Sequence, residues 1–344
     1  MKLFYGVQGT GNGHIGRSRV MVEALNSAGY ETQFLFSGRP PEKFFDMEVF
    51  GDYQVREGLT FAIDNGKVDL VKTVRQAPLK KFNRDIAELD LSSYDLVICD
   101  YEPITAWAAA RQKVFSVGIG HQYAFKYDIP KRGFNFVSTQ VMKQFAPVSL
   151  GIGLHWDSFG APILPPIIDT SLTGTFDEKT IVVYLPFENQ DEVIKLLAYF
   201  TEYKFHLYSH VNVTDEMCWY KNIFLHPLSK QAFTTNLKSC GGVICNSGFE
   251  LVSEALHLGK KILVKPVKNQ AEQYSNALAL TQLGYGWSMD ELDFGILHKW
   301  FSKAQPVQVK FPDVAATLAK HLGEVDSINA DLVFDLWSKV EVTK

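Results

Sequence analysis

The stretch from Val243 to Ala277, VICNSGFELVSEALHLGKKILVKPVKNQAEQYSNA, constrains the fold more than any other part of the chain. A short apolar run, Val243-Ile244-Cys245, ends at Asn246-Ser247-Gly248, and a helical pattern follows from Glu250 to Leu258. Gly259 closes that helix, and Lys261 to Val264 reads as the next strand. Strand, turn, helix and strand in this order predict one unit of a parallel sheet. The turn sets Asn246, Ser247, Gly248 and the first helical amides, those of Phe249 and Glu250, at a positive helix end, where a phosphate would be well held. One turn on, Glu254 can reach a sugar hydroxyl beside that phosphate. Asn269, Gln270, Glu272, Gln273 and Asn276 then form a polar stretch at the start of another helix. Anion seat, carboxylate and amides together read as a nucleotide-sugar pocket. The plainer reading is a Rossmann-like repeat with no ligand.

The pattern S-G-x-x-x-x-S-E-A-L-x-x-G-K, then P-V-x-N-Q, then Q-Y-x-N-A, resembles the donor site of the GT-B glycosyltransferases. The similarity is greatest to the branch holding the peptidoglycan lipid-linked GlcNAc transferase MurG and the UDP-glycosyltransferases, and within it to bacterial and archaeal members with a G-N-G-H loop. The resemblance implies two Rossmann-like domains facing each other across a cleft, with a last helix crossing back to the first domain. It also implies that the Ser247-Gly248 turn binds the donor diphosphate and that Glu254 binds ribose. Gln270 and Gln273 are then the candidates for contacting sugar or phosphate; the spacing differs by a residue from the peptidoglycan enzymes, so either could take that role.

The N-terminal half opens with the same kind of unit. Lys2 to Gln8 is a strand, Gly9 to Arg17 (GTGNGHIGR) a loop, Ile15 to Ser27 a helix and Thr32 to Phe36 a strand. Gly11, Gly13 and Gly16 match a dinucleotide fingerprint, but an NAD site wants an acid at the end of the second strand, and Phe36-Ser37-Gly38-Arg39 has none. Arg39 would suit NADP. His14 stands at the carboxyl end of strand one, where open α/β sheets place their chemistry, and flanking glycines leave its imidazole uncovered. A loop histidine can equally be a surface or capping residue. In the resembled family a histidine of this loop is the general base.

Tyr94 to Cys99 is a buried strand that delivers Asp100, followed by Tyr101-Glu102-Pro103. Asp100 can approach His14 if these strands are neighbours, and a carboxylate on the second imidazole nitrogen fixes the tautomer. Glu102 is a rival for that role, and either acid could instead cap the next helix. Lys113 to Gly118, a further strand, ends near His121, Gln122 and Tyr123, which with Arg17 are candidate acceptor contacts. Phe125 to Phe136, mixed aromatic and basic, suits either a lipid-linked acceptor or a loop folded onto its own core. The basic run Lys67, Lys72, Arg75, Lys80, Lys81 and Arg84 reads as a solvated helix face or as a groove for an anionic acceptor.

Ala161 to Asp169, with three prolines, predicts the linker. The expected domains are an acceptor-binding one over 1–165, a nucleotide-sugar-binding one over 166–325 and a terminal helix over 326–344 on the first domain. The 344 residues are enough for both. A net charge of −4 argues against a nucleic-acid partner bound through phosphate neutralisation. Four cysteines without C-x-x-C spacing fit a reduced compartment, and no signal peptide or membrane-length apolar run is visible. A cytoplasmic protein follows, with any membrane contact peripheral.

The resulting expectation is an inverting transferase that moves a sugar from a nucleotide donor, UDP by resemblance, to the hydroxyl of a glycan, lipid-linked or small acceptor. No metal and no cofactor beyond the co-substrate are expected. Retaining relatives often carry a glutamate eight positions before the ribose-binding one, and Asn246 stands there. Two rivals share these residues: a UDP-sugar hydrolase, whose G-x-G-H-x-x-R loop is similar, and a non-catalytic nucleotide- or carbohydrate-binding protein.

Overall fold

Leu3-Phe4-Tyr5 and Phe34-Leu35-Phe36 are apolar and buried on both faces, as strands covered by helices on each side must be. The computed structural model describes residues 1–209, 217–220 and 222–344. A first sheet contains β1 (Lys2–Gln8), β2 (Glu31–Ser37), β3 (Tyr53–Val55), β4 (Leu96–Asp100), β5 (Ser116–Gly120), β6 (Leu150–Leu154) and β7 (Ile163–Leu164). Its spatial order is β3-β2-β1-β4-β5-β6-β7. All its pairings are parallel.

A second sheet contains β8 (Asp177–Tyr184), β9 (Lys204–Tyr208), β10 (Met217–Tyr220), β11 (Ile223–His226), β12 (Cys240–Cys245), β13 (Lys261–Val264) and β14 (Trp287–Ser288). It is ordered β10-β11-β9-β8-β12-β13-β14, and only the edge strand β10 runs antiparallel to its neighbour. The helices that matter for the site are α1 (Asn12–Ser27), α2 (Pro103–Gln112), α3 (Lys230–Ser239), α4 (Phe249–His257), α5 (Ala271–Gln282), α6 (Val314–His321) and α7 (Ala330–Ser338).

Two boundaries differ from the sequence expectation in ways that bear on function. Helix α1 starts at Asn12, with Gly11 in an extended N-cap conformation, so His14 lies on the first helical turn rather than in a loop. The proline-rich segment is not purely a linker: Ile163–Leu164 joins the sheet as its edge strand, a position where neighbouring prolines are tolerated. Phe125 and Ile129 are buried with Ala124 and Ile163, so the aromatic segment largely folds onto its own core. Among the charges of the basic run, Lys81 and Arg84 pair with Asp85 and Glu88 one turn on.

The lobes are packed together rather than merely tethered. Ile15, Met21 and Leu25 of α1 share one buried apolar cluster with Phe249, Val252 and Leu256 of α4 and with Val314 and Leu318 of α6. Helix α7 returns to the first lobe, where Trp337 Nε1 donates to the Ile163 carbonyl at 2.7 Å. A short hairpin of the first lobe, Ile63–Val68, reaches the second: Lys268 N donates to Gly66 O at 2.7 Å and Val68 N to Lys268 O at 2.9 Å.

Gly6 sets how closely α2 lies on β1, because a Cβ there would collide with the Thr105 side chain. Gly6→Ala should therefore lower the unfolding free energy by about 1–3 kcal/mol through overpacking. Urea denaturation measures this, and an unchanged midpoint would show that the α2–β1 contact is loose.

Candidate active site

β1 and β4 are hydrogen-bonded neighbours, with Val7 opposite Asp100, so Asp100 emerges beside the start of α1. His14 and Arg17 are three residues apart on that helix and so share a face. Both turn toward Asp100. His14 Nδ1 lies 2.7 Å from Asp100 Oδ1, and Arg17 donates through Nη2 to Oδ1 at 2.6 Å and through Nε to Oδ2 at 2.9 Å. Asp100 is 0% exposed and Arg17 2%. Burial pushes the Asp100 carboxyl up, but Arg17 and then His14 outweigh it and hold the group below the ordinary carboxylate range. An Nδ1–H that donates to Asp100 makes Nε2 the basic nitrogen of His14. Nε2 has no partner among the described residues, and the side chain remains 16% exposed.

The opposing lobe presents the Asn246-Ser247-Gly248 turn at the end of β12. Asn276 Nδ2 holds the Ser247 carbonyl at 2.9 Å, and Asn246 Nδ2 donates to Lys265 O at 2.8 Å. Ser247 Oγ is buried, and neither it, Asn246 Oδ1 nor Gln270 Oε1 has a hydrogen-bond partner among the described residues. Helices α2, α3, α6 and α7 are capped by Glu102, Ser229, Asp313 and Asn329. The starts of α1, α4 and α5, by contrast, carry no side-chain cap. Their first amides are left for another partner. The two lobes meet here: a Cβ on Gly13 would lie 3.1 Å from Glu250 Cγ, while one on Gly11 or Gly248 would meet nothing within 4 Å. Asn12 Nδ2 also bridges to Tyr184 Oη at 3.1 Å.

Several residues singled out from the sequence do other work. Glu102 is not the partner of His14: its carboxylate accepts from Ile104 N and Thr105 N as the cap of α2 and from Ser37 Oγ at 2.6 Å. Burial raises its pKa against those bonds. Arg17 is not open to an acceptor, because Asp100 and Glu250 occupy its guanidinium. Glu250 is committed to that ion pair rather than free for a donor. Phe249 is buried between rings, stacked on His121 at 4.1 Å and on Trp156 at 5.3 Å between centroids. His121 does not line a cleft: it is buried, with Nδ1 against Leu154 O at 2.9 Å and Nε2 against Asn276 Oδ1 at 2.7 Å. Burial lowers its pKa.

Gln122 Nε2 reaches Glu272 Oε1 across the seam at 3.2 Å, and Tyr123 Oη donates to Ala146 O at 3.3 Å. Of the two glutamines, Gln273 is used by the backbone, its Oε1 accepting from Val267 N at 2.8 Å. Gln270 keeps a free oxygen. Asn269 takes the left-handed conformation, φ +64°, with Nδ2 3.5 Å from Val68 O. Arg39, weighed for a 2′-phosphate, instead ties the glycine-rich turn through Gly9 O and Asn12 Oδ1.

Sequence reasoning missed Lys265 and Glu188, a buried pair 2.8 Å apart with Asn246 Nδ2 3.3 Å from the same carboxylate. They follow β13 and β8, the strands flanking β12, and that position at carboxyl strand ends was the available signal.

Two facing Rossmann-like lobes with their strand ends converging on one seam define the GT-B architecture. A family model described as glycosyl transferase family 1 matches residues 1–304, and the chain belongs to that family. No curated protein sequence matches the chain. Solved structures share the fold across almost the whole length. The glycosyltransferase SnogD from Streptomyces nogalater is 15% identical, with TM-score 0.54, covering 94% of this chain and 99% of its own. Arabidopsis thaliana UGT89C1 complexed with UDP is 11% identical, with TM-score 0.57 and 94% of each chain covered. The spinosyn rhamnosyltransferase SpnG complexed with thymidine diphosphate is 13% identical, with TM-score 0.54, covering 98% of this chain and 96% of its own.

Glu254 lies one turn beyond Glu250 on the same helix, and burial raises it to about 7 despite the nearby Lys230 and Arg19. The fold thus favours its neutral form. That contribution is whole below about pH 4.5, the ordinary glutamate value, and is lost as the pH rises through 7. Glu254→Gln should match the wild type near pH 4.5 and exceed it by about 1–3 kcal/mol above pH 7.5. Urea midpoints at the two pH values check this; a difference that does not change with pH would place Glu254 in water.

Proposed function

We propose that this glycosyltransferase is an inverting, metal-independent enzyme in which His14 is the base and the start of α4 holds the diphosphate of a nucleotide sugar. The observation that carries the reading is an imidazole with one nitrogen on a buried carboxylate and the other unpartnered, set against an uncapped helix start across the lobe seam. His14 Nε2 takes the proton of an acceptor hydroxyl. The hydroxyl oxygen forms its bond to the anomeric carbon as the bond to the diphosphate breaks, and the electron pair leaves on the phosphate oxygen. Asp100 keeps the ring oriented and stabilises the imidazolium that forms. The α4 amides and the orphaned Ser247 hydroxyl meet the charge growing on the leaving group, a task electrostatic preorganisation does well in a dry seam. Asn246 in place of a second acid supports inversion.

Glu254 would take the ribose hydroxyls, and Gln270 Oε1 a donor hydroxyl. Similarity to the UDP-glycosyltransferase pattern supports uridine as the base, and similarity to the peptidoglycan branch supports a lipid-linked or cell-envelope acceptor reached from the cytoplasm. No helix among the described residues is long and apolar enough to cross a membrane, so such an acceptor would be met at the membrane surface.

His14→Ala should lower turnover by about 10²–10⁴-fold while UDP affinity changes little, the usual share of a general base. Glu254→Ala should chiefly weaken UDP binding. Steady-state kinetics with calorimetric UDP titrations check the division, and equal loss of UDP binding in both variants would contradict it. Steady release of UDP from a UDP-sugar without acceptor, unaccelerated by any acceptor, would replace transfer by hydrolysis with the same base.

A further inference from the structure

The hydrogen bonds around His14 do not stop at Asp100. Arg17 Nη1 donates to Glu250 Oε1, and Glu250 belongs to the opposite lobe, on the first turn of α4. His14, Asp100, Arg17 and Glu250 therefore form one connected chain that crosses the seam, and Arg17 is the only member that touches the other three. The last three members are buried. We propose that Glu250 is a positioning residue that couples closure of the lobes to the readiness of the catalytic base, acting through Arg17 and Asp100. This rests on the function proposed above for His14.

Two physical points lead there. First, a guanidinium presents its donors in a fixed fork, and this one spends Nε and Nη2 on Asp100 and Nη1 on Glu250. Arg17 Nη2 also stands 3.1 Å from His14 Nδ1, so both compete for Asp100 Oδ1. Any sideways shift of the guanidinium moves the carboxylate oxygen that orients the imidazole. Only in the closed arrangement does Glu250 pin the free side of the fork. Second, the closed cluster holds two carboxylates, Asp100 and Glu250, against one fixed cation, Arg17. A proton arriving on His14 brings it to neutrality. Without Glu250 the cluster is already neutral before the proton arrives, and the protonated state carries an excess positive charge in a buried place, which is costly. Closure thus completes an environment suited to the imidazolium that forms as the acceptor is deprotonated, and an open enzyme lacks it. The same closure lays Gly13 against Glu250, bringing the two uncapped helix starts together.

Glu250→Gln is the test, since it keeps the shape and a hydrogen-bond acceptor but removes the charge. It should lower kcat about tenfold or more and leave the dissociation constant for UDP within about threefold. Small-angle scattering of the ligand-free variant should show a larger radius of gyration than the wild type. Arg17→Lys, a cation without the fork, should lose kcat in the same manner. Wild-type kcat in Glu250→Gln would overturn the proposal. So would a loss of UDP binding matching the loss in rate, which would make Glu250 a donor ligand instead. If the wild type turned over no nucleotide sugar, the functional reading would fail on its own. The scattering comparison would then still decide the latch: equal radii overturn it, and an expanded variant supports it.

Discussion

A carboxylate with no exposed surface stands at the end of β4, and the arrangement of the seam depends on keeping it paired. Removing one partner from a buried ion pair costs about 3–5 kcal/mol, because the remaining charge is left in a place water does not reach. Asp100 avoids that penalty through Arg17 and His14, both supplied by α1. Their reach requires β1 and β4 to be adjacent, α1 to begin at Asn12, and the glycine-rich turn to hold its course, which Arg39 secures by bonding Gly9 and Asn12. The same pairing that satisfies a buried charge leaves His14 with one nitrogen committed and the other open. Structural necessity and chemical competence coincide in one group.

The seam between the lobes combines two kinds of surface. Along α1, α4 and α6 it is apolar and continuous with the interior of both lobes. At the helix starts it is polar, and there the usual side-chain caps are missing while buried acceptors go unpartnered. Other helices of the chain are capped, by Glu102, Ser229, Asp313 and Asn329, whereas all three helix starts that gather where the lobes meet lack such a cap. Apolar packing and the Arg17–Glu250 pair together hold the lobes in register, and the uncapped ends offer directed donors to whatever anion enters.

Periodicity made the order of strands and helices readable. Apolar runs of strand length separated by amphipathic stretches admit little besides a pair of parallel sheets, and Ser247-Gly248 after β12 marked an anion seat by position. Side-chain commitments were not readable, because they depend on partners far away in sequence. Glu102 follows Asp100 by only two residues at one strand end, yet the first caps α2 and the second meets α1. His121 looked exposed at a strand end but is covered by Phe249 from 128 residues onward. His14 looked like a loop residue because α1 was expected to start three residues later; with the helix begun at Asn12, its spacing from Arg17 places both on one face. Lys265 and Glu188 carried no motif, and only the flanking of β12 by β8 and β13 makes them neighbours.

The most direct test of a single displacement assisted by His14 is the stereochemistry at the anomeric carbon. A panel of UDP- and dTDP-sugars, followed by proton NMR at early times before any mutarotation, gives the configuration of the transferred or released sugar, whether an acceptor or water attacks. Inversion in the wild type, slowed and not redirected in His14→Ala, is the predicted outcome. A product that retains the donor's anomeric configuration would contradict it.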